Sequence, residues 1–238
     1  MLLVPLLIAQ ALPAPWKVVE LKAELDHVQG IDTDGRRLWV SEVKRREKRG
    51  LLHEFELESG RHVRSLDLTR GEQYHPGGIA LLGDSIWAPM AEYRRNSSAT
   101  VVRVDLAAWQ VVEEIPVADH IGAVAADRER LIGANWDARQ IYDLRAGTKR
   151  DNPHPTRYQD MKLLDGVLVA SGISAIDWLD PATLALKFRT TVGRTDRGVL
   201  YTQEGMAVRG RSLYLLPEDG PSRLFFFDLA QVGSAQVN

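Results

Sequence analysis

Two short motifs each recur five times along the 238 residues, and that shared count restricts the fold more than any other feature. The first opens with a small and an apolar residue, turns over a polar pair and resumes as an apolar strand. It appears at Gly30-Ile31 to Leu38-Trp39-Val40, Gly78-Ile79 to Ile86-Trp87-Ala88, Ala123-Val124 to Leu131-Ile132, Met161-Lys162 to Val167-Leu168-Val169, and Gly205-Met206 to Leu213-Tyr214-Leu215. Each copy reads as a tight β-hairpin. The second motif is an apolar run ending in an acidic residue: Phe55-Glu56-Leu57, Val104-Asp105-Leu106, Tyr142-Asp143-Leu144, Trp178-Leu179-Asp180 and Phe227-Asp228-Leu229. These are third strands, and His62 to Leu68, Trp109 to Val117 and Ala185 to Gly193 follow as fourth strands. Four-stranded units repeated five times predict an all-β chain, a five-bladed β-propeller.

The fifth unit lacks a fourth strand of its own. Trp16-Lys17-Val18-Val19-Glu20 near the start closely matches Trp109-Gln110-Val111-Val112-Glu113, so the N-terminal strand is expected to close the last blade. An open β-solenoid is the rival, but it requires capping repeats that the sequence does not show. The expected division is a leader over 1–14, one propeller over 15–230 and a tail over 231–238. Met1 to Ala11 is apolar, too short to span a bilayer, and ends in Ala9-Gln10-Ala11, which reads as a signal-peptide cleavage pattern and predicts a secreted or periplasmic protein.

Composition narrows the partners. Thirty Lys and Arg against thirty-two Asp and Glu leave a formal charge of −2, so no global basic field exists to hold nucleic acid, and no later stretch predicts membrane insertion. The chain has no cysteine, which removes disulfides, thiolate metal sites and cysteine nucleophiles. A monomer binding a small molecule is the expectation.

Ring closure turns the repeat into geometry, because innermost strands begin at one mouth of a central channel. Three positions before each anchor stand His27, His75, His120, Tyr158 and Thr202; one position before it stand Gln29, Gly77, Gly122, Asp160 and Glu204. Residues two apart on a strand face one side, so both columns are expected to meet in one cavity. Second-strand ends add Glu42, Glu92, Asn135-Trp136-Asp137 and Glu218. Three chemistries stay open. His27, His75 and His120 with a carboxylate suit zinc, whereas carboxylates with Asn135 suit calcium. Glu204 and Asp160, crowded with Glu218 at a desolvated mouth, suit acid–base catalysis. Asn135, Trp136, Gln29, Glu218 and Arg94 suit a ligand pocket, with Arg95 and Arg197 also near the rim to hold an anion. A protein-interaction scaffold is a further alternative, with the charged run Lys44 to Arg49 as its exposed surface; that run otherwise reads as a solvated loop. Trp39, Trp87 and Tyr214 share a column and read as packing between blades.

His75-Pro76-Gly77-Gly78, Ala91-Glu92-Tyr93-Arg94-Arg95, Gly133-Ala134-Asn135-Trp136-Asp137, Tyr158-Gln159-Asp160-Met161-Lys162 and Leu216-Pro217-Glu218-Asp219-Gly220 together resemble a family of exported bacterial propeller-like proteins, a domain of unknown function. Val28-Gln29-Gly30-Ile31 and Gln203-Glu204-Gly205-Met206 are distantly similar to the Gln-Gly-apolar element of plant-type glutaminyl cyclase propellers. That likeness implies Glu204 as an acid–base group and Trp136 as a pocket wall, although the histidine trio is not part of its pattern. A looser likeness to lactonase propellers implies calcium held by Glu42, Asn135 and Asp160.

Overall fold

A computed structural model of the protein describes residues 10–231, and these are nearly all β-strand. Two strands come first, β1 (Gln10–Ala11) and β2 (Lys17–Glu20). The first blade is β3 (His27–Thr33), β4 (Arg37–Lys44), β5 (Arg49–Glu56) and β6 (His62–Asp67). The second is β7 (Gln73–Pro76) and β8 (Ala80–Leu82), which share one inner position, then β9 (Ser85–Glu92), β10 (Ala99–Asp105) and β11 (Gln110–Val117). The third is β12 (Ile121–Ala126), β13 (Leu131–Asn135), β14 (Gln140–Asp143) and β15 (Thr148–Asp151). The fourth is β16 (Tyr158–Leu164), β17 (Val167–Gly172), β18 (Ala175–Leu179) and β19 (Leu186–Thr191). The fifth is β20 (Glu204–Arg209), β21 (Ser212–Pro217) and β22 (Arg223–Asp228), completed by β2 in the order β2-β22-β21-β20.

The N-terminal closure is thus present, with Lys17 opposite Phe226 and Glu20 opposite Arg223. β15 is the fourth strand that periodicity misses: its residues Thr148–Asp151 are all exposed, so no apolar alternation marks it. Outside the five blades, β1 adds in parallel to the edge strand β19. Residues 1–9 of the leader and 232–238 of the tail lie outside the described residues. No helix among the described residues is long and apolar enough to cross a membrane.

Five separate apolar clusters sit between neighbouring blades, and five is the number a closed ring requires. Leu38, Val40 and Phe55 of the first blade pack on Tyr214, Leu224 and Phe226 of the fifth, so the last interface joins the two ends of the repeat. An open array of five units would have only four such interfaces. Trp39 packs with Ile79 and Ile86, and Trp87 with Val124 and Leu131, which places this aromatic column between blades as expected. Phe55, Phe226 and Phe227 are among the largest fully buried side chains. Each such ring removes enough apolar surface from water to favour folding by roughly 1.5–3 kcal/mol.

At the axis the inner strands come too close for side chains. A Cβ on Gly77 would lie 2.0 Å from the Gly122 carbonyl oxygen, and one on Gly30 would lie 2.5 Å from the Gly78 Cα. Between β7 and β8 the chain leaves its own ladder and bonds sideways: Gly78 N–H donates to Gly122 O at 2.9 Å, and Val124 N–H to Gly78 O at 2.9 Å. Register shifts interrupt the inner strand of blades one to four, between Val28/Gly30, Gln73/His75, Ile121/Ala123 and Tyr158/Asp160. A one-residue bulge re-aims the side chains that follow it. The two sequence columns therefore do not converge uniformly on one cavity.

Candidate functional site

The mouth of the channel is built where the first and last blades meet. His27 begins β3, Glu204 begins β20, and Glu218 follows the end of β21. His27 Nδ1 lies 3.0 Å from Glu218 Oε1. One ligand atom each from His27, Glu204 and Glu218 fall within 4.8 Å of one another, the one such group found among the described residues. A cavity of about 680 Å³ opens beside them, lined by Asp26, His27, Arg45, Arg46, Tyr93 and Glu218.

Charge is finely set here. Burial pushes the Glu204 carboxyl up to about 7; His27 opposes the rise, and the charges of Glu218 and Asp160 add to it. Desolvation pulls the His27 imidazole down, but the contact with Glu218 and the field of Glu204 outweigh it, so its pKa stands above the ordinary histidine value. Glu204 also carries a φ of +114°, a conformation costly for any side-chain-bearing residue. Strain and a raised carboxyl pKa coincide at Glu204, while the cavity is lined by its neighbours His27 and Glu218.

His75 and His120 lie outside the ligand group. His75 is buried beside Tyr93, His120 and Trp136, with ring centroids 4.3, 5.3 and 5.8 Å away. Desolvation, with the neighbouring His120 ring, drives its pKa down to about 3, and its Nδ1 is buried without a hydrogen-bond partner. His120 packs edge-on against Trp136 at 4.5 Å. Its Nδ1 donates to the Arg94 carbonyl at 3.1 Å, which leaves the lone pair on Nε2. The three histidines thus divide into one at the ligand group and two in an aromatic cluster with Tyr93 and Trp136.

Other expected residues are placed elsewhere. Asp160 is fully buried on the channel axis: Oδ2 accepts the amides of Ile31 and Met206, each at 3.0 Å, and Oδ1 accepts Met161 N–H at 2.8 Å and Lys162 Nζ at 2.6 Å. Burial raises its pKa to about 6, held there by Lys162 and the amides. With both oxygens so occupied, Asp160 ties blades one, four and five together and does not line the cavity at the mouth. Gln29 donates to Val28 O at 3.1 Å and is buried. Asn135 donates to Asp119 at 3.0 Å and accepts Gln140 N–H at 2.8 Å, so both ends of its amide are engaged. Glu42 is fully buried against His53. The calcium set Glu42, Asn135 and Asp160 is therefore not assembled. Tyr158 bonds Asp177 at 2.7 Å within its own blade, and Thr202 is buried.

The rim arginines also differ from expectation. Arg94 pairs with Glu92 at 2.7 Å, Arg95 pairs with Asp137, and Arg197 donates to the carbonyls of Asp219 and Gly220. The cavity instead receives Arg45 and Arg46 from the loop after β4, with Arg45 4.6 Å over the Tyr93 ring. Local sequence presents that run as one more charged hairpin tip. Only the ring places it over the mouth.

The profile of the family of unknown function (DUF6454) matches residues 39–163, just over half of the chain. No curated protein matches the sequence. Among solved structures, the nidogen/laminin complex contains a chain that is similar with a TM-score of 0.53 at 14% identity, over 88% of this chain and 78% of that one. The Pan2 WD40 domain of Neurospora crassa aligns with a TM-score of 0.47 at 12% identity, over 87% of this chain and 64% of that one. At such identity the first likeness speaks for the propeller fold alone.

Proposed function

This chain belongs to the DUF6454 family, and for it we propose a propeller that binds a divalent metal ion through His27, Glu204 and Glu218 and a small anionic ligand in the adjoining cavity. The observation that carries this reading is the gathering of one imidazole and two carboxylates, from strands far apart in sequence, within 4.8 Å. One nitrogen and two oxygens favour zinc or a similar first-row ion over calcium, which prefers six to eight oxygens. A cation would replace the proton that burial now keeps on Glu204 near neutrality, so binding should release protons. Arg45 and Arg46 bring positive charge to the cavity wall, the complement of a carboxylate or phosphate. Export, read from Met1 to Ala11, belongs to the same proposal.

The test is a melting series on chelator-stripped protein with added Zn²⁺ or Ca²⁺. Zinc at a hundred times its dissociation constant should stabilise the fold by about 2.7 kcal/mol. The His27→Ala, Glu218→Gln double variant should show a clearly smaller zinc-dependent shift than the parent while melting cooperatively. Absence of any metal-dependent shift in the unaltered protein overturns the reading.

The pKa of Glu204 favours a second reading, a general acid in a hydrolase or cyclase acting on lactones or glutaminyl peptides. Turnover that Glu204→Gln abolishes would support it, and its absence across such a panel would end it.

A further inference from the structure

Away from the mouth, a second polar cluster crosses three adjacent strands of the first blade: Glu42 on β4, His53 on β5, and His62 and Ser65 on β6. His53 stands directly opposite Ser65, and a register shift between Glu54 and Phe55 brings His62 to the same side. Glu42 is fully buried, and its two oxygens accept the Asp26 amide and His53 Nε2, the latter at 2.7 Å. A carboxylate only accepts, so His53 Nε2 carries a proton, and the tautomer that can bind a metal holds its lone pair on Nδ1.

That lone pair faces outward. His53 Nδ1 lies 2.8 Å from Ser65 Oγ and 3.4 Å from His62 Nε2, and His62 Nε2 lies 2.9 Å from the same hydroxyl. Two imidazole nitrogens bonded to one tetrahedral zinc at 2.0–2.1 Å stand about 3.3–3.4 Å apart. The two nitrogens already stand at that spacing, and Ser65 Oγ bridges them at hydrogen-bond distance. Ser65 is exposed on the outermost strand, so water can complete the coordination. A buried carboxylate fixing the tautomer of a histidine is the arrangement that orients metal-ligating imidazoles in general.

We propose that His53, His62 and Ser65 bind a first-row transition-metal dication, zinc or copper, with Glu42 orienting His53 from behind. This site shares no ligand with the mouth, although Glu42 also accepts the amide of Asp26 on the cavity wall.

The experiment uses the full chain, stripped with chelator, in a His27→Ala background that silences the mouth. Calorimetric titration with Zn²⁺ alone should show one ion per chain. Adding His62→Ala should weaken that binding at least tenfold, and Ser65→Ala should weaken it less. Loaded with Cu²⁺, the His27→Ala protein should show nitrogen couplings from two imidazoles in electron paramagnetic resonance, reduced to one by His62→Ala. His62→Asn serves as a second variant, and circular dichroism verifies the fold of each. Failure of the His27→Ala protein to bind zinc, or zinc binding indifferent to both His62 variants, overturns the site. Stoichiometric labelling of Ser65 by a fluorophosphonate without zinc binding also overturns it, in favour of a nucleophilic Ser-His-Glu relay.

Discussion

His27, the first residue of blade one, meets Glu218 of the last blade with 3.0 Å between Nδ1 and Oε1. The contact straddles the seam where the ring closes, so the candidate metal group and the fifth interface depend on each other. Phe226→Ala in that interface should cost about 3–5 kcal/mol, the usual range for emptying a buried aromatic site. Urea denaturation measures the loss, and zinc affinity should fall with it, because a loosened seam separates His27 from Glu218.

Glu204 links the site to pH. Its carboxyl titrates near 7 in the fold and at the ordinary, lower value when unfolded, so between those values the native state holds the extra proton. Stability of the metal-free protein should therefore fall as pH rises from about 4.5 to 7, by on the order of 3 kcal/mol in total. Glu204→Gln should flatten this slope and leave the variant more stable than the parent at pH 8, as read by urea midpoints at several pH values.

His75 acts in the opposite sense. Its folded pKa of about 3 lies below the unfolded value, so the unfolded chain binds the extra proton on acidification. The contribution of this ring is complete above pH 6.5 and is lost progressively as the pH falls toward 3. His75→Phe should move the acid-unfolding midpoint to lower pH, followed by tryptophan fluorescence, since Trp136 lies 5.8 Å from this ring.

Asp160 separates an axial role from a catalytic one. Asp160→Ala leaves the Lys162 ammonium buried and unpaired and should cost roughly 3–5 kcal/mol. Asp160→Asn in a Lys162→Met background should recover part of this in thermal melts. Zinc affinity at the mouth should change little in the rescued protein, whereas a direct ligand or acid–base role for Asp160 would abolish function even when the fold is restored.

Gly77→Ala should fail more severely than its size suggests. The added methyl would meet the Gly122 carbonyl carbon and oxygen, backbone atoms that cannot rotate away. Soluble yield and melting temperature check this.

Local sequence determined most of the strands, their grouping in fours and the closing role of Trp16 to Glu20, because apolar alternation and turn residues act over a few neighbours; β15, exposed throughout, escaped it. It also pointed to His27, Glu204 and Glu218, since ring closure follows from the repeat count. Tertiary structure alone decided which polar side chains share a space. Bulges interrupt four inner strands, one of them just before Asp160, and the packing between blades left His75 and His120 against Trp136, outside the His27 group. Arg45 and Arg46 reached the cavity although their hairpin reads as solvated, and the Glu42, His53, His62 and Ser65 cluster required the register of three strands at once. A one-residue slip reverses the face of every later side chain, and no local pattern encodes where such a slip occurs.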